Sequence, residues 1–110
     1  MNELEDIIQM LKKFRDDRDW KQFHNPKDLS IALSIESSEL AQEYLWKDAE
    51  SANVDKVKDE LADVFSYALY IADYYNLDIK QIIKEKIEKN EVKYPVDKSK
   101  GNAKKYNELG

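Results

Sequence analysis

Four carboxylates stand out by their spacing. Glu36 and Glu39 are three residues apart, and so are Glu60 and Asp63. Residues i and i+3 project from the same side of a helix, so each pair sets two carboxylates together. Projected at about 100° per residue, Leu29, Leu33, Glu36 and Leu40 fall within roughly 60° of one another. Glu39 and Glu43 lie just beside them. Glu36 therefore sits in the middle of an apolar face, where a carboxylate must be paired, protonated or bound to metal. Glu60 and Asp63 line one margin of the face that holds Leu61, Val64 and Ala68, with Tyr67 one turn further along the same stripe. Two facing pairs make an oxygen-only cage, the donor set of hard cations such as Mg²⁺ or Mn²⁺. A metal site of that kind bridges phosphate oxygens, neutralises their charge and makes hydroxide from water. Phosphoryl transfer asks for little beyond such positioning and charge stabilisation. The plainer reading is that acidic pairs are common in a chain with 37% charged residues and are mostly solvated. The apolar setting of Glu36 is what separates these pairs from that background.

The elements that must hold them read as helices. Leu4, Ile7, Ile8, Leu11 and Phe14 recur at helical spacing and predict a first helix over about residues 3–18. Asn25 followed by Pro26 is an N-cap with proline at the first helical position, opening a second helix that runs to Trp46 or Lys47. A third helix spans about 53–75, with Asn76 as its stop. A fourth starts at Asp78 and ends before Tyr94-Pro95, since the residue before proline avoids the helical region. Four helices with short joints predict an all-α four-helix bundle over residues 1–96, followed by a basic tail over 97–110. The second and third helices are apolar around much of their circumference, which predicts burial against another copy of the chain.

Composition narrows the classes. The 110 residues fit one domain, and only two Gly and two Pro leave few sheet turns. The absence of cysteine removes disulfides and thiolate metal sites and makes the cytoplasm the expected location. No apolar run approaches the ~20 residues that span a bilayer. A net charge of −5 argues against a nucleic-acid polymer as partner, but not against a small phosphorylated ligand with metal as counter-charge.

The run Glu36-Ser37-Ser38-Glu39, followed by Glu60-Leu61-Ala62-Asp63, resembles the E-x-x-E and E-x-x-D marks of the MazG-like superfamily of all-α nucleoside triphosphate pyrophosphohydrolases. The stretch Arg18-Asp19-Trp20-Lys21-Gln22-Phe23-His24, together with Trp46-Lys47, Asp63-Val64 through Tyr67, Lys93-Tyr94-Pro95-Val96 and the Lys104–Leu109 tail, is similar to the dCTP pyrophosphatase branch. The resemblance implies cleavage of dCTP or a modified dCTP, between the α- and β-phosphates, to monophosphate and pyrophosphate. It implies that Glu36, Glu39, Glu60 and Asp63 ligate Mg²⁺, with Glu39 orienting or deprotonating the attacking water. It also implies that Trp20 and Trp46 wall a base pocket, with His24 and Tyr67 in the substrate-binding set. Lys86, Asn90 and Tyr94 would approach phosphates or sugar, the basic tail would close over the triphosphate, and the assembly would be a dimer or tetramer. Leu11 is a departure, standing where that branch carries a histidine.

Several residues keep a plainer reading beside this one. Trp20 and Trp46 suit a core as well as base stacking. A lone His next to Pro is usually a surface or capping residue, although its near-neutral pKa permits a minor role. The tail lysines suit solvation as well as phosphate contact. A di-iron bundle would need Glu-x-x-His on two helices, and no Glu here has His three residues later. The remaining rival is a non-enzymatic acidic helical interaction module, which would pair Glu36 with Lys or Arg and need no metal.

Overall fold

The computed structural model describes residues 3–104 and 106–108. Lys105 and Leu109 of the tail lie outside the described residues. Among the described residues every regular element is helical, as expected: α1 (Glu3–Asp17), α2 (Pro26–Gln42), α3 (Val54–Tyr74), α4 (Ile79–Lys93) and the short α5 (Val96–Ser99). Single 3₁₀ turns occur at Lys21–Phe23, Ala49–Ser51 and Tyr106–Glu108. No helix among the described residues is long and apolar enough to cross a membrane. The chain forms two compact units, Met1–Leu77 and Asp78–Gly110.

In the first unit, α3 packs along α2 and also against α1. Leu29, Leu69, Tyr70 and Ala72 are its buried centre. Arg15 is buried with them at 4% exposure, an unusual place for a cation. Its Nε donates to Asp16 Oδ1 at 2.8 Å and its Nη1 to Asp73 Oδ2 at 3.4 Å. Lys12 Nζ reaches the other oxygen of Asp73 at 3.4 Å, and the Tyr70 hydroxyl donates to the Leu11 carbonyl at 2.8 Å. Polar bonds thus join α1 to α3 where apolar packing is thin. Large apolar side chains on α2 and α3 stay uncovered: Ile35 is 53% exposed and Phe65 61%.

The caps explain the boundaries. Asn25 is extended, and its side chain accepts the Asp28 N–H at 2.9 Å, with Pro26 next in the first helical position. Replacing Asn25 with Ala is expected to lower unfolding free energy by about 1 kcal/mol. Urea denaturation checks this, and an unchanged midpoint would show that the cap carries no net stability. At the far end of α3, Asn76 adopts φ 54° and the Leu77 N–H bonds back to the Ala72 carbonyl at 2.9 Å, the left-handed stop expected there.

The end of α2 differs from expectation. It stops at Gln42, not at Trp46 or Lys47. The N–H groups of Glu43, Tyr44 and Leu45 bond back three residues, at 3.2, 3.1 and 3.2 Å. Trp46 then turns left-handed at φ 62°, and Lys47 N–H closes on the Tyr44 carbonyl at 3.0 Å. No Gly, Asn or Pro marks this exit, and the apolar run Tyr44-Leu45-Trp46 continues the helical pattern, so periodicity alone overshoots. A left-handed tryptophan costs about 1–2 kcal/mol.

The second unit is built on α4. Asp78 caps α4 by accepting N–H groups from Lys80 and Gln81 at 3.1 and 3.3 Å. Lys86 and Asn90 lie on α4, and Tyr94 is its C-cap before Pro95. The helical turn α5 starts at Val96, the last residue of the expected bundle, and runs into the segment read from sequence as basic tail.

Candidate active site

Helices α2 and α3 bring the two acidic pairs together. One oxygen each from Glu36, Glu60 and Asp63 lies within 4.8 Å of the others. Glu39 is not one of this trio but stands close enough to act on Glu36 and Glu60. Asp63 is exposed, while Glu36 and Glu60 are half-buried. Glu36 Oε2 and Glu60 Oε2 are each shut off from solvent without a hydrogen-bond partner.

The electrostatics follow from that crowding. The Glu36 carboxyl is raised from an ordinary 4.5 to about 7. Burial is the main cause, followed by the neighbouring Glu39 and Glu60 carboxyls and then the charges of Glu39 and Asp63. Glu60 is raised as well, again chiefly by burial, with Glu39 and Asp63 adding to it and Glu36 opposing. The Tyr67 phenol is raised by burial and then by the charges of Glu36, Asp63 and Glu39, which puts its hydroxyl in the field of the cluster. Like charges this close are unfavourable unless a proton or a cation sits among them. Two buried, unpartnered carboxylate oxygens in an all-oxygen donor set fit a hard divalent cation.

Next to the carboxylates is a cavity of about 250 Å³, lined by Leu11, Phe14, Trp20, His24, Asp63, Ser66, Tyr67 and Tyr70. Of the Arg18-Asp19-Trp20 run, Trp20 lines it. Asp19 is left-handed at φ 54°, and the Trp20 N–H bonds back to the Arg15 carbonyl at 3.0 Å, so the chain reverses at the end of α1. That turn lays Trp20 edge-on against Phe14, with ring centroids 5.7 Å apart. The Arg18 guanidinium covers the Phe14 ring at 3.7 Å. His24 stacks edge-on against Tyr70 at 4.8 Å, with its Nδ1 buried and unpartnered. Burial and the nearby Arg15 charge lower its pKa, so the ring is neutral near pH 7. An aromatic slot opening beside a carboxylate cluster accepts a planar base with a charged group at one end.

The family model described as MazG-like matches residues 31–109, a span that includes both acidic pairs. The chain belongs to the MazG-like family. It is 37% identical to dCTP pyrophosphatase 1 of Rattus norvegicus, over 96% of this chain and 67% of that protein. The corresponding protein of Homo sapiens is 33% identical over the same shares. The crystal structure of a pyrophosphatase from Archaeoglobus fulgidus superposes with a TM-score of 0.81 at 34% identity, covering 86% of this chain and 94% of that one. These likenesses carry the sequence resemblance over to the fold.

Of the expected site residues of this MazG-like chain, Glu36, Glu60 and Asp63 converge, and Trp20, His24 and Tyr67 line the adjoining cavity. Trp46 is not part of that lining and is 95% exposed. Lys86, Asn90 and Tyr94 belong to the second unit. Phe14, Ser66 and Tyr70 also line the cavity and were not singled out by the sequence. Ser66 and Tyr70 continue the stripe through Asp63 and Tyr67 at three- and four-residue steps, a signal that was legible. Arg15 comes four residues after Leu11 on the apolar stripe of α1, the same kind of misplacement that marks Glu36.

Proposed function

We propose that this chain hydrolyses dCTP, or a modified dCTP, to its monophosphate and pyrophosphate, with Mg²⁺ as cofactor and Mn²⁺ as a substitute. The enzyme class, nucleoside triphosphate pyrophosphohydrolase, rests on membership of the MazG-like family and on the pyrophosphatases it is similar to. The observation that carries the reading is the pair of buried, unpartnered oxygens of Glu36 and Glu60 beside an aromatic slot that shares Asp63. An interaction module would give those oxygens a Lys or Arg, and they have no hydrogen-bond partner.

In this reading Glu36, Glu39, Glu60 and Asp63 hold the cation. When bound, it supplies charge neutralisation for the phosphate oxygens. Trp20, Tyr67 and His24 hold the base and nucleoside, which fixes the triphosphate against the carboxylates. Glu39 accepts a proton from the attacking water. The water oxygen bonds to the α-phosphorus as the bridging oxygen departs with pyrophosphate. Lys86, Asn90 and Tyr94 belong to the substrate-binding set of the same proposal, as does a role for the basic tail in holding the triphosphate. A dimer or tetramer covers the exposed apolar faces of α2 and α3, and the outward ring of Trp46 stacks on a base held by a second copy. A cytoplasmic location belongs to the same proposal and rests on the cysteine-free sequence.

The product assay tests the reaction directly. Each common NTP and dNTP is incubated with the protein, with and without Mg²⁺, and the products are resolved. Monophosphate with pyrophosphate, dependent on metal and greatest for dCTP or its 5-methylated form, is the expected result. Release of inorganic phosphate, or no turnover of any nucleotide, would overturn it. Replacing Trp46 with Ala is expected to raise KM by about tenfold while changing kcat less, since stacking contributes mainly uniform binding. Steady-state kinetics on the preferred nucleotide check this, and an unchanged KM would remove Trp46 from base binding.

A further inference from the structure

A second cavity, of about 380 Å³, shares His24 and Tyr70 with the aromatic slot but none of the four carboxylates. Its remaining charged lining is Lys12, Arg15 and Lys21 against the single acid Asp73. Asp16 touches Arg15 from outside that lining, and cations still outnumber acids when it is included. In a chain of net charge −5, this is a local reversal of sign.

The three cations differ in how they are held. Arg15 is buried, fixed through Nε to Asp16 and through Nη1 to Asp73. These bonds use two of the five N–H donors of a guanidinium, and its orientation is already set. Lys12 is tied to Asp73 at 3.4 Å. Lys21 is exposed and makes no salt bridge among the described residues. The Nδ1 of His24, at the edge of the cavity, is buried and has no partner. A rigid guanidinium flanked by two ammonium groups matches a phosphate group, which takes forked bonds from Arg and point charges from Lys.

We propose that this cavity is a second site of the protein, separate from the carboxylate cluster, and that it binds a small phosphorylated anion through Arg15, Lys12 and Lys21. The phosphate comes either from a free inorganic anion or from a nucleotide. The site needs no divalent metal, because its own cations supply the counter-charge. It also touches the aromatic slot through one shared pair of rings, so occupancy on one side is felt by His24 and Tyr70 on the other. The proposal stands whether or not the chain cleaves dCTP.

His24 is the only histidine, so its ring resonances report on the site without assignment. Inorganic phosphate, pyrophosphate and dCMP are titrated separately into the full chain, in EDTA at constant pH and ionic strength. A saturable shift of the His24 ring with a dissociation constant of about a millimolar is expected for at least one of them. The Lys12→Ala/Lys21→Ala double variant should weaken it by about tenfold or more. Lys21→Ala alone breaks no salt bridge and should weaken it in the same direction. Glu60→Gln should leave it unchanged. Preference for pyrophosphate or phosphate assigns the free anion, and preference for dCMP assigns the nucleotide. No saturable shift with any of the three, or a shift indifferent to both lysine changes, would overturn the proposal. So would a shift lost in Glu60→Gln, because binding would then belong to the carboxylate site.

Discussion

Glu36→Gln and Glu60→Gln are each expected to lower turnover by about a hundred- to a thousandfold or more at saturating Mg²⁺, while the helices stay intact. Glutamine keeps the shape of the side chain and removes the charge and one anionic oxygen. At Glu36 and Glu60 that oxygen belongs to a carboxylate whose Oε2 is buried and lacks a protein partner. The same change should not destabilise the metal-free protein. Glu36, Glu60 and Asp63 converge here with Glu39 close by, and the Glu36 carboxyl is already raised to about 7 by burial and by its neighbours. Removing one charge relieves that repulsion, so metal-free Glu36→Gln should melt at the same temperature as the parent or higher above pH 7. Loss of activity with retained or increased stability is the signature of a site whose residues are placed against their own stability. Circular dichroism and a metal titration complete the comparison, since the variant should also bind Mn²⁺ more weakly. Near-normal turnover in either variant would exclude that residue from the metal site.

How far the sequence reveals such a site depends on which physical rule each residue breaks. Glu36 is legible because it interrupts an apolar stripe, and the structure leaves one of its oxygens buried and unpartnered. Arg15 breaks the same rule on α1 and is the most buried charged side chain among the described residues, yet a basic residue late in a helix looks ordinary. The helix starts were legible because Asn25 and Asp78 cap by short-range bonds. The end of α2 was not, because its 3₁₀ exit and the left-handed Trp46 carry no glycine, asparagine or proline. Tyr70 is ambiguous for another reason. Its hydroxyl is used structurally, on the Leu11 carbonyl, while its ring separates two cavities. A residue pattern records that a ring is present on a helix face. It does not record what lies on each side of the ring.

The protonation of the same cluster should make metal and pH act against each other on stability. Glu36 titrates near 4.5 when unfolded and at about 7 in the fold. Between those values the native state holds more protons than the unfolded chain, so stability falls as pH rises. The contribution is fully present below about pH 4.5 and is gone above the folded value. Glu60 acts in the same direction, since it too is raised. His24 acts the other way: its pKa is lowered, so its share of stability is present above its unfolded value of 6.5 and is lost as pH falls through the folded one. Comparing the parent with Glu36→Gln cancels His24, which both proteins share. In EDTA, the melting temperature of the parent should fall relative to Glu36→Gln as pH rises from about 4.5 to 8. With Mg²⁺ or Mn²⁺ the order should reverse above about pH 7, because the cation binds only the deprotonated carboxylates and competes with protons below that. A metal concentration of about a hundred times the dissociation constant would add about 2.7 kcal/mol to the parent. Parallel melting curves for the two proteins in EDTA would show that Glu36 titrates as an ordinary solvated acid. Crossing curves in EDTA with no reversal by metal would leave a crowded acidic cluster that only protons relieve, and the cation would then have to bind elsewhere.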